Sequence, residues 1–188
     1  MKQFFLDYWE FVKRQFFWIR RRIAERKLDK FLANNDVCSL YMGLPGAGKS
    51  TFIAYIVHLC TLCDYPVYCN VPVDGAFPIN KDDLGKYDTS DGLILIDEAG
   101  LVYDNRKFDT QFSESSLNFL KRLRHYNCSI ALFSQSMDID IKWIRMSKSV
   151  FLVYRSLIRG FTSVVRVKRT FDIPKDKQEI RTLTYVST

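Results

Sequence analysis

Gly43-Leu44-Pro45-Gly46-Ala47-Gly48-Lys49-Ser50-Thr51 lies between the apolar run Val37 to Met42 and an apolar stretch that continues to about Cys63. The run before it is short and continuous, as in a buried strand, and the stretch after it has helical length. A G-x-x-x-x-G-K-[ST] pattern between a strand and a helix is a phosphate cradle. Its glycines let the backbone curl so that successive N–H groups face one anion, and the helix N-terminus adds partial positive charge. Gly43, Pro45, Gly46, Ala47, Gly48, Lys49, Ser50 and Thr51 are therefore the candidate nucleotide-binding residues. Lys49 is expected to reach the β- and γ-phosphates, and the Ser50 hydroxyl to ligate Mg²⁺. A chance glycine-rich turn is the alternative, and the strand before and helix after weigh against it.

Downstream, Leu93-Ile94-Leu95-Ile96 reads as a buried strand that delivers Asp97 and Glu98 to the carboxyl edge of a sheet, where open α/β folds bind ligands. Asp97 is the second candidate metal ligand. Glu98 is placed to orient and deprotonate an attacking water. A helix-capping pair is the bland reading of the same two acids. Ser129 to Phe133 reads as the next strand, and Ser134-Gln135 ends it with polar groups, so Gln135 is a candidate sensor of the γ-phosphate or the water. Arg122 and Arg124, on the helix expected near Ser113 to Tyr126, and Arg106 are candidate arginine fingers for a neighbouring subunit, with Arg124 entered among the catalytic candidates. Ordinary solvated charge is the competing reading of each.

Working further outward, strands alternate with helices. Pro66 to Val71 and Val150 to Tyr154 complete the strand set, and the pattern predicts an α/β fold with a doubly wound, mostly parallel sheet. Ser163 to Lys168 and Ile180 to Val186 read as a C-terminal β-hairpin or edge strands. At the other end, Phe5, Trp9, Val12, Phe16, Ile19 and Ile23 recur at helical spacing opposite Asp7, Glu10, Lys13, Arg14, Arg20 and Arg21, which predicts an amphipathic helix from Phe4 to about Arg26. Phe4, Tyr8, Phe11 and Trp18 widen its apolar arc to about half the circumference. Residues 1–35 are expected to form this helix and 36–188 the nucleotide-binding domain, with no linker dividing the chain.

The 188 residues, 47% of them hydrophobic, suffice for one such domain with a short appendage. Lys and Arg number 28 against 21 Asp and Glu, a net charge of +7 that suits an anionic partner. Eight of these basic residues (Lys142, Arg145, Lys148, Arg155, Arg159, Arg166, Lys168, Arg169) fall in one stretch without an acid, interleaved with Trp143, Phe151, Tyr154 and Phe161. The stretch reads either as a nucleic-acid channel or as a basic outer face. Five irregularly spaced cysteines and the lack of a secretory leader fit a reducing compartment. His58, Cys60, Cys63 and Cys69 allow a zinc reading, against which stands the apolar helix that holds the first three. The longest uncharged run, Ser50 to Cys63, is about 14 residues, short of the about 18 needed for a membrane span.

Taken in order, the phosphate loop, Ile96-Asp97-Glu98-Ala99, Arg124-His125-Tyr126-Asn127, Ser134-Gln135, and Ile139-Asp140 through Ile144-Arg145 resemble the zonular occludens toxin (Zot)-like family over about residues 37 to 155. Its members belong to the FtsK/HerA-type P-loop motor ATPases, of the branch whose sheet inserts a strand between the phosphate-loop strand and the acidic strand. The strand Pro66 to Val71 is taken here as the sign of that branch. The resemblance implies ATP and Mg²⁺ as cofactors, a homo-oligomeric ring, single-stranded phage DNA as substrate, and a role in filamentous phage assembly or export at the bacterial inner membrane. The sequence departs from the family at Gly100, where a polar residue is frequent, and is expected to do without the transmembrane segment and periplasmic tail of many members. The N-terminal helix is expected to substitute, lying on the membrane surface or against phage assembly proteins, so that the protein sits peripherally on the cytoplasmic face. A DNA packaging or transfer ATPase, a slow nucleotide-dependent switch and a small-molecule kinase are the competing functions. Glu98 and the lack of an arginine-rich lid weigh against the kinase.

Overall fold

The computed structural model describes residues 2–35 (of 2–8 the backbone), 37–80, 84, 89–99, 118–119, 122–123, 125–135, 147, 149–156 and 162–167. The chain opens with helix α1 (Lys2–Asn35), strand β1 (Cys38–Met42) and helix α2 (Lys49–Leu62). It continues through β2 (Val67–Cys69), β3 (Phe77–Pro78), β4 (Leu93–Ile96), β5 (Ser129–Ser134), β6 (Ser149–Arg155) and β7 (Thr162–Val167). These strands form one sheet in the order β3-β2-β4-β5-β1-β6-β7, in which β6 and β7 pair antiparallel and every other neighbouring pair is parallel.

Alternation along the strands sends side chains to two covered faces, as a parallel sheet requires. On one face Leu40, Ile94, Ile96, Ile130, Leu132 and Val150 pack with Phe119 and Leu123 from the segment before β5. On the other, Tyr41, Leu93, Leu95, Ala131, Phe133, Phe151 and Val153 pack against Ile53, Ile56, Val57 and Cys60 of α2 and Leu28 of α1. The expected doubly wound sheet is therefore present.

Two features depart from the sequence reading. The strand that separates β1 from β4 in the sheet is β5, whereas β2, which the sequence suggested for that role, lies on the far side of β4. Order along the chain does not fix order in a sheet, because crossover connections skip strands. β3 was not foreseen, since its pairing of Tyr68 with Phe77 and Cys69 with Pro78 sits in a stretch rich in turn residues. Helix α1 reaches Asn35, the end of the segment expected for it, and the turns beyond the amphipathic stretch to Arg26 gain a packing surface: Ala24 and Leu28 are buried, and Phe31 stacks on Tyr41 with ring centroids 6.1 Å apart. Asn35 is fully buried and closes the helix, sending its amide toward the Ile130 carbonyl at 3.4 Å while its own carbonyl accepts from Ser39 Oγ.

Helices α1 and α2 run antiparallel. Phe31 meets Phe52 near the start of α2, Lys27 lies over the Tyr55 ring, and Arg21 pairs with Asp64 just beyond its end at 2.9 Å. The expected strand Ile180 to Val186 lies outside the described residues, as do Arg106, Arg124, Gly100, Lys142, Trp143, Arg145, Lys148, Arg159, Phe161, Lys168, Arg169 and the Ile139-to-Arg145 motif. Asn118, Phe119 and Arg122 are helical, within the span expected for the helix before β5. Among the described residues no helix is long and apolar enough to cross a membrane.

Candidate nucleotide-binding site

β1 is the interior strand that feeds the loop, and it is clamped by aromatic rings from both neighbours. Tyr41 stacks on Phe133 of β5 (4.9 Å) and on Phe151 of β6 (4.6 Å), its register partners on either side. The ladder extends one residue past the strand, where Gly43 N–H donates to the Ser134 carbonyl at 3.1 Å. A β-carbon at Gly43 would collide with the Val153 carbonyl, so the first glycine is needed for close approach of the β6 backbone. Gly46 (φ 76°) and Gly48 (φ 95°) take left-handed conformations that turn the chain into α2. Gly48 caps the helix without a side chain, which leaves the first-turn N–H groups directed at the loop's concavity.

Lys49 is buried, and its ammonium is held within the loop by the carbonyls of Gly43 (2.6 Å) and Leu44 (3.1 Å). Pro45 is exposed on the loop, Ala47 is buried beneath it, and Thr51 is exposed on the first turn of α2. Ser50 Oγ donates to Asp97 Oδ2 at 3.1 Å, which joins the loop to the acidic strand end. Asp97 is buried, and its other carboxylate oxygen accepts the Glu98 N–H at 2.9 Å. Glu98 itself is exposed and left-handed at φ 52°, a conformation costing a non-glycine residue about 1–3 kcal/mol, of the kind that clusters at functional sites. Across the same edge, Gln135 Nε2 lies 3.5 Å from Glu98 Oε1, long for a hydrogen bond but close enough to place both amide and carboxylate over one spot.

One residue escaped the sequence reading. Asn70, the first residue after β2, grips the backbone of Asp97 from both sides: its side-chain oxygen accepts Asp97 N–H (2.7 Å) and its amide donates to the Asp97 carbonyl (2.9 Å). Its own N–H reaches the Leu95 carbonyl at 3.3 Å. The side chain thus continues the β2–β4 pairing one step further, at the carboxylate on which the site depends. The available signal was a polar residue ending an apolar strand, the same signal that singled out Gln135.

The oxygen donors Ser50 and Asp97, neighbours on a helix N-terminus and a strand end, are a hard set that fits Mg²⁺. Zinc is a different case: His58 is exposed on α2 while Cys60 and Cys69 are buried in the core, and among the described residues no His, Cys, Asp and Glu side chains gather as a metal cluster. Of the candidate arginines, Arg122 is exposed, and Arg124 lies outside the described residues. In the basic stretch, Arg155 and Arg166 are exposed, with Arg166 Nη2 bonded to Ser149 Oγ at 2.8 Å.

The zonular occludens toxin (Zot) family model matches residues 76–187, more than half of the chain and further toward the C-terminus than the motifs that suggested the resemblance. The phosphate loop falls outside that match, whereas Asp97, Glu98 and Gln135 fall within it. No curated protein matches the sequence. Among solved structures, the genome packaging NTPase of Sulfolobus turreted icosahedral virus 2 in complex with sulfate aligns with 13% identity over 71% of this chain and 92% of its own, at a TM-score of 0.51. The N-terminal domain of zonular occludens toxin from Neisseria meningitidis aligns with 15% identity over 72% of this chain and 85% of its own, at a TM-score of 0.47. At such identities the first likeness speaks for the fold.

Proposed function

The chain belongs to the zonular occludens toxin (Zot) family and carries the nucleotide-binding loop of P-loop NTPases, and on that premise we propose that it is an ATP-hydrolysing motor for assembly and export of filamentous phage at the bacterial inner membrane. The observation that carries hydrolysis is the Ser50–Asp97 contact at 3.1 Å with Glu98 beside it, because it unites a phosphate cradle, a metal-binding oxygen pair and a general base on one sheet edge.

In this reading the loop N–H groups and Lys49 bind the β- and γ-phosphates, exchanging the Gly43 and Leu44 carbonyls for phosphate oxygens. Mg²⁺ held by Ser50 and Asp97 would neutralise charge on the phosphate oxygens. Glu98 orients the attacking water and accepts its proton, and Gln135 contacts the same water or the γ-phosphate. An arginine from a neighbouring subunit, Arg124 among the candidates, would complete the site in a ring, where such a finger raises the rate by roughly 10³ to 10⁵. Single-stranded phage DNA is the proposed substrate, and the exposed Arg155 and Arg166 support a phosphate-contacting surface.

The test is steady-state ATP hydrolysis by the purified protein and by Glu98→Gln, with and without single-stranded DNA, across protein concentration. Turnover is expected to rise with concentration and with DNA, and to fall about 10²- to 10⁴-fold in the variant while nucleotide binding is kept. Tight ATP binding without turnover under every condition would overturn the motor and leave a nucleotide-dependent switch.

A further inference from the structure

Helix α1 carries two apolar stripes that face different ways. At about 100° per residue, Ala24, Leu28, Phe31, Leu32 and Asn35 fall within an arc of about 100°. This arc is the one that meets the body: Ala24, Leu28 and Asn35 are buried, and Phe31 packs on Tyr41 and Phe52. Trp9, Val12, Phe16, Ile19 and Ile23 fall within a second arc of about 80°, centred about 130° from the first. Trp9 is 57% exposed, Phe16 65%, Ile19 49% and Ile23 50%. The second stripe therefore is not an extension of the core contact. The helix has in fact left the body by this point, since Phe17 shares the azimuth of the packed arc and is 56% exposed.

Charge is sorted about the second stripe. Arg26 and Arg22 follow one of its edges and Lys27, Arg20 and Lys13 the other, while Glu10, Glu25 and Asp29 all lie about 120° or more from its centre. Arg14 and Arg21 share the carboxylates' side, where Arg21 bonds Glu25 at 3.2 Å and Asp64 at 2.9 Å. Phe11 and Trp18, both more than half exposed, carry apolar surface beyond Arg22 and Arg26 on the first edge. An apolar stripe flanked by cations, with the acids opposite, matches the layered chemistry of an anionic lipid surface: apolar side chains enter the acyl boundary while ammonium and guanidinium groups meet headgroup phosphates. A second copy of the same helix would set basic edges against basic edges.

We propose that the Trp9-to-Ile23 stripe of α1 is a membrane-interfacial surface selective for anionic phospholipid. Because α1 runs antiparallel to α2, it places lipid at the end of the molecule opposite the phosphate loop. The inference deepens the motor reading by supplying its membrane contact, and it rests on that reading for the biological setting alone.

The test is flotation of the full chain with vesicles of phosphatidylcholine, with and without phosphatidylglycerol. The wild-type chain is expected to float with the anionic vesicles and to bind neutral ones far more weakly. Phe16→Ser combined with Ile19→Ser should weaken binding on the order of tenfold or more, and Arg20→Gln or Lys27→Gln about fivefold each. All these positions are exposed, so nucleotide binding should be unchanged. Trp9 and Trp18 lie about 180° apart on the helix. With Trp143→Phe in both, the chain carrying Trp18→Phe should be quenched strongly by brominated anionic lipid through Trp9, and the chain carrying Trp9→Phe weakly through Trp18. Absence of flotation, flotation unaffected by the serine pair, equal quenching of the two tryptophans, or vesicle-free self-association that the serine pair abolishes would each overturn the proposal. Lipid binding with no ATP turnover would sink the motor alone, and turnover without lipid binding would sink this surface alone.

Discussion

Asn70 shows how much of the site depends on a side chain that makes no claim to chemistry of its own. With both of its bonds to Asp97 gone, Asn70→Ala leaves a buried N–H and carbonyl unpaired, at a cost of about 1–3 kcal/mol each. The expected outcome is a lower unfolding midpoint together with a fall in turnover at saturating nucleotide of about tenfold, as Asp97 and the strained Glu98 lose their fixed position. Asn70→Asp, which keeps an acceptor for Asp97 N–H but loses the donor, should fall between; chemical denaturation and single-turnover kinetics check both. A second residue-scale prediction concerns the thiols. Burial pushes Cys60 up to about 12 and Cys128 up to about 11, so at pH 8 about a thousandth of Cys128 is thiolate. Half-buried Cys63, also raised chiefly by burial, should be alkylated first in the native protein, as peptide mass spectrometry would show. The linkage has a definite sign. Thiols raised on folding hold their protons in the native state while the unfolded chain has released them, so their contribution is complete below the unfolded value and is lost as pH rises between about 9 and 12. Unfolding midpoints should decline across that window, and less steeply when Cys60 and Cys128 are both replaced by Ala.

At the scale of elements, the ring ladder Phe133–Tyr41–Phe151 ties β5, β1 and β6 together directly beneath the loop. Tyr41→Ala should cost about 3–5 kcal/mol and loosen the loop with it. Tyr41→Phe should be nearly neutral, because the hydroxyl reaches only a 3.4 Å contact with Asn35 Oδ1; thermal unfolding with and without nucleotide separates the two. The same elements explain what the sequence made legible. β1, α2, β4 and β5 announce themselves through apolar runs ending in chemistry, and the loop, Asp97, Glu98 and Gln135 could be named from their strand-end positions before any coordinates. What could not be read was lateral order. Nothing in Pro66 to Val71 says which side of β4 it will occupy, and β3 has no apolar alternation because both of its residues are exposed and serve only as an edge. Asn70 was missed because its role exists only once β2 lies beside β4.

For the molecule as a whole, helix α1 acts as two segments. Its last turns belong to the core through Leu28, Phe31 and Asn35, and the residues before Arg21 contribute no buried side chain among those described. Deleting residues 2–19 should therefore leave the melting temperature and nucleotide affinity close to wild type while abolishing attachment to anionic vesicles, as calorimetry and flotation on one preparation would show. Between the free part of α1 and the phosphate loop lie the direct α1–α2 contacts, Phe31 on Phe52 and Arg21 with Asp64, and beneath them the seven-stranded sheet. That sheet imposes its own schedule on the making of the protein. β1 leaves the ribosome ahead of both its neighbours in the sheet, β5 and β6, which follow on the order of a hundred residues later. At roughly 5–20 residues per second, its apolar face waits roughly 5 to 20 s for partners. The phosphate loop, hung between β1 and backbone groups of Ser134 and Val153, cannot close on a nascent chain. ATP can thus be captured only once β5 and β6 have been made, and a polypeptide terminated before them is left with β1 unpaired for chaperones and proteases to recognise.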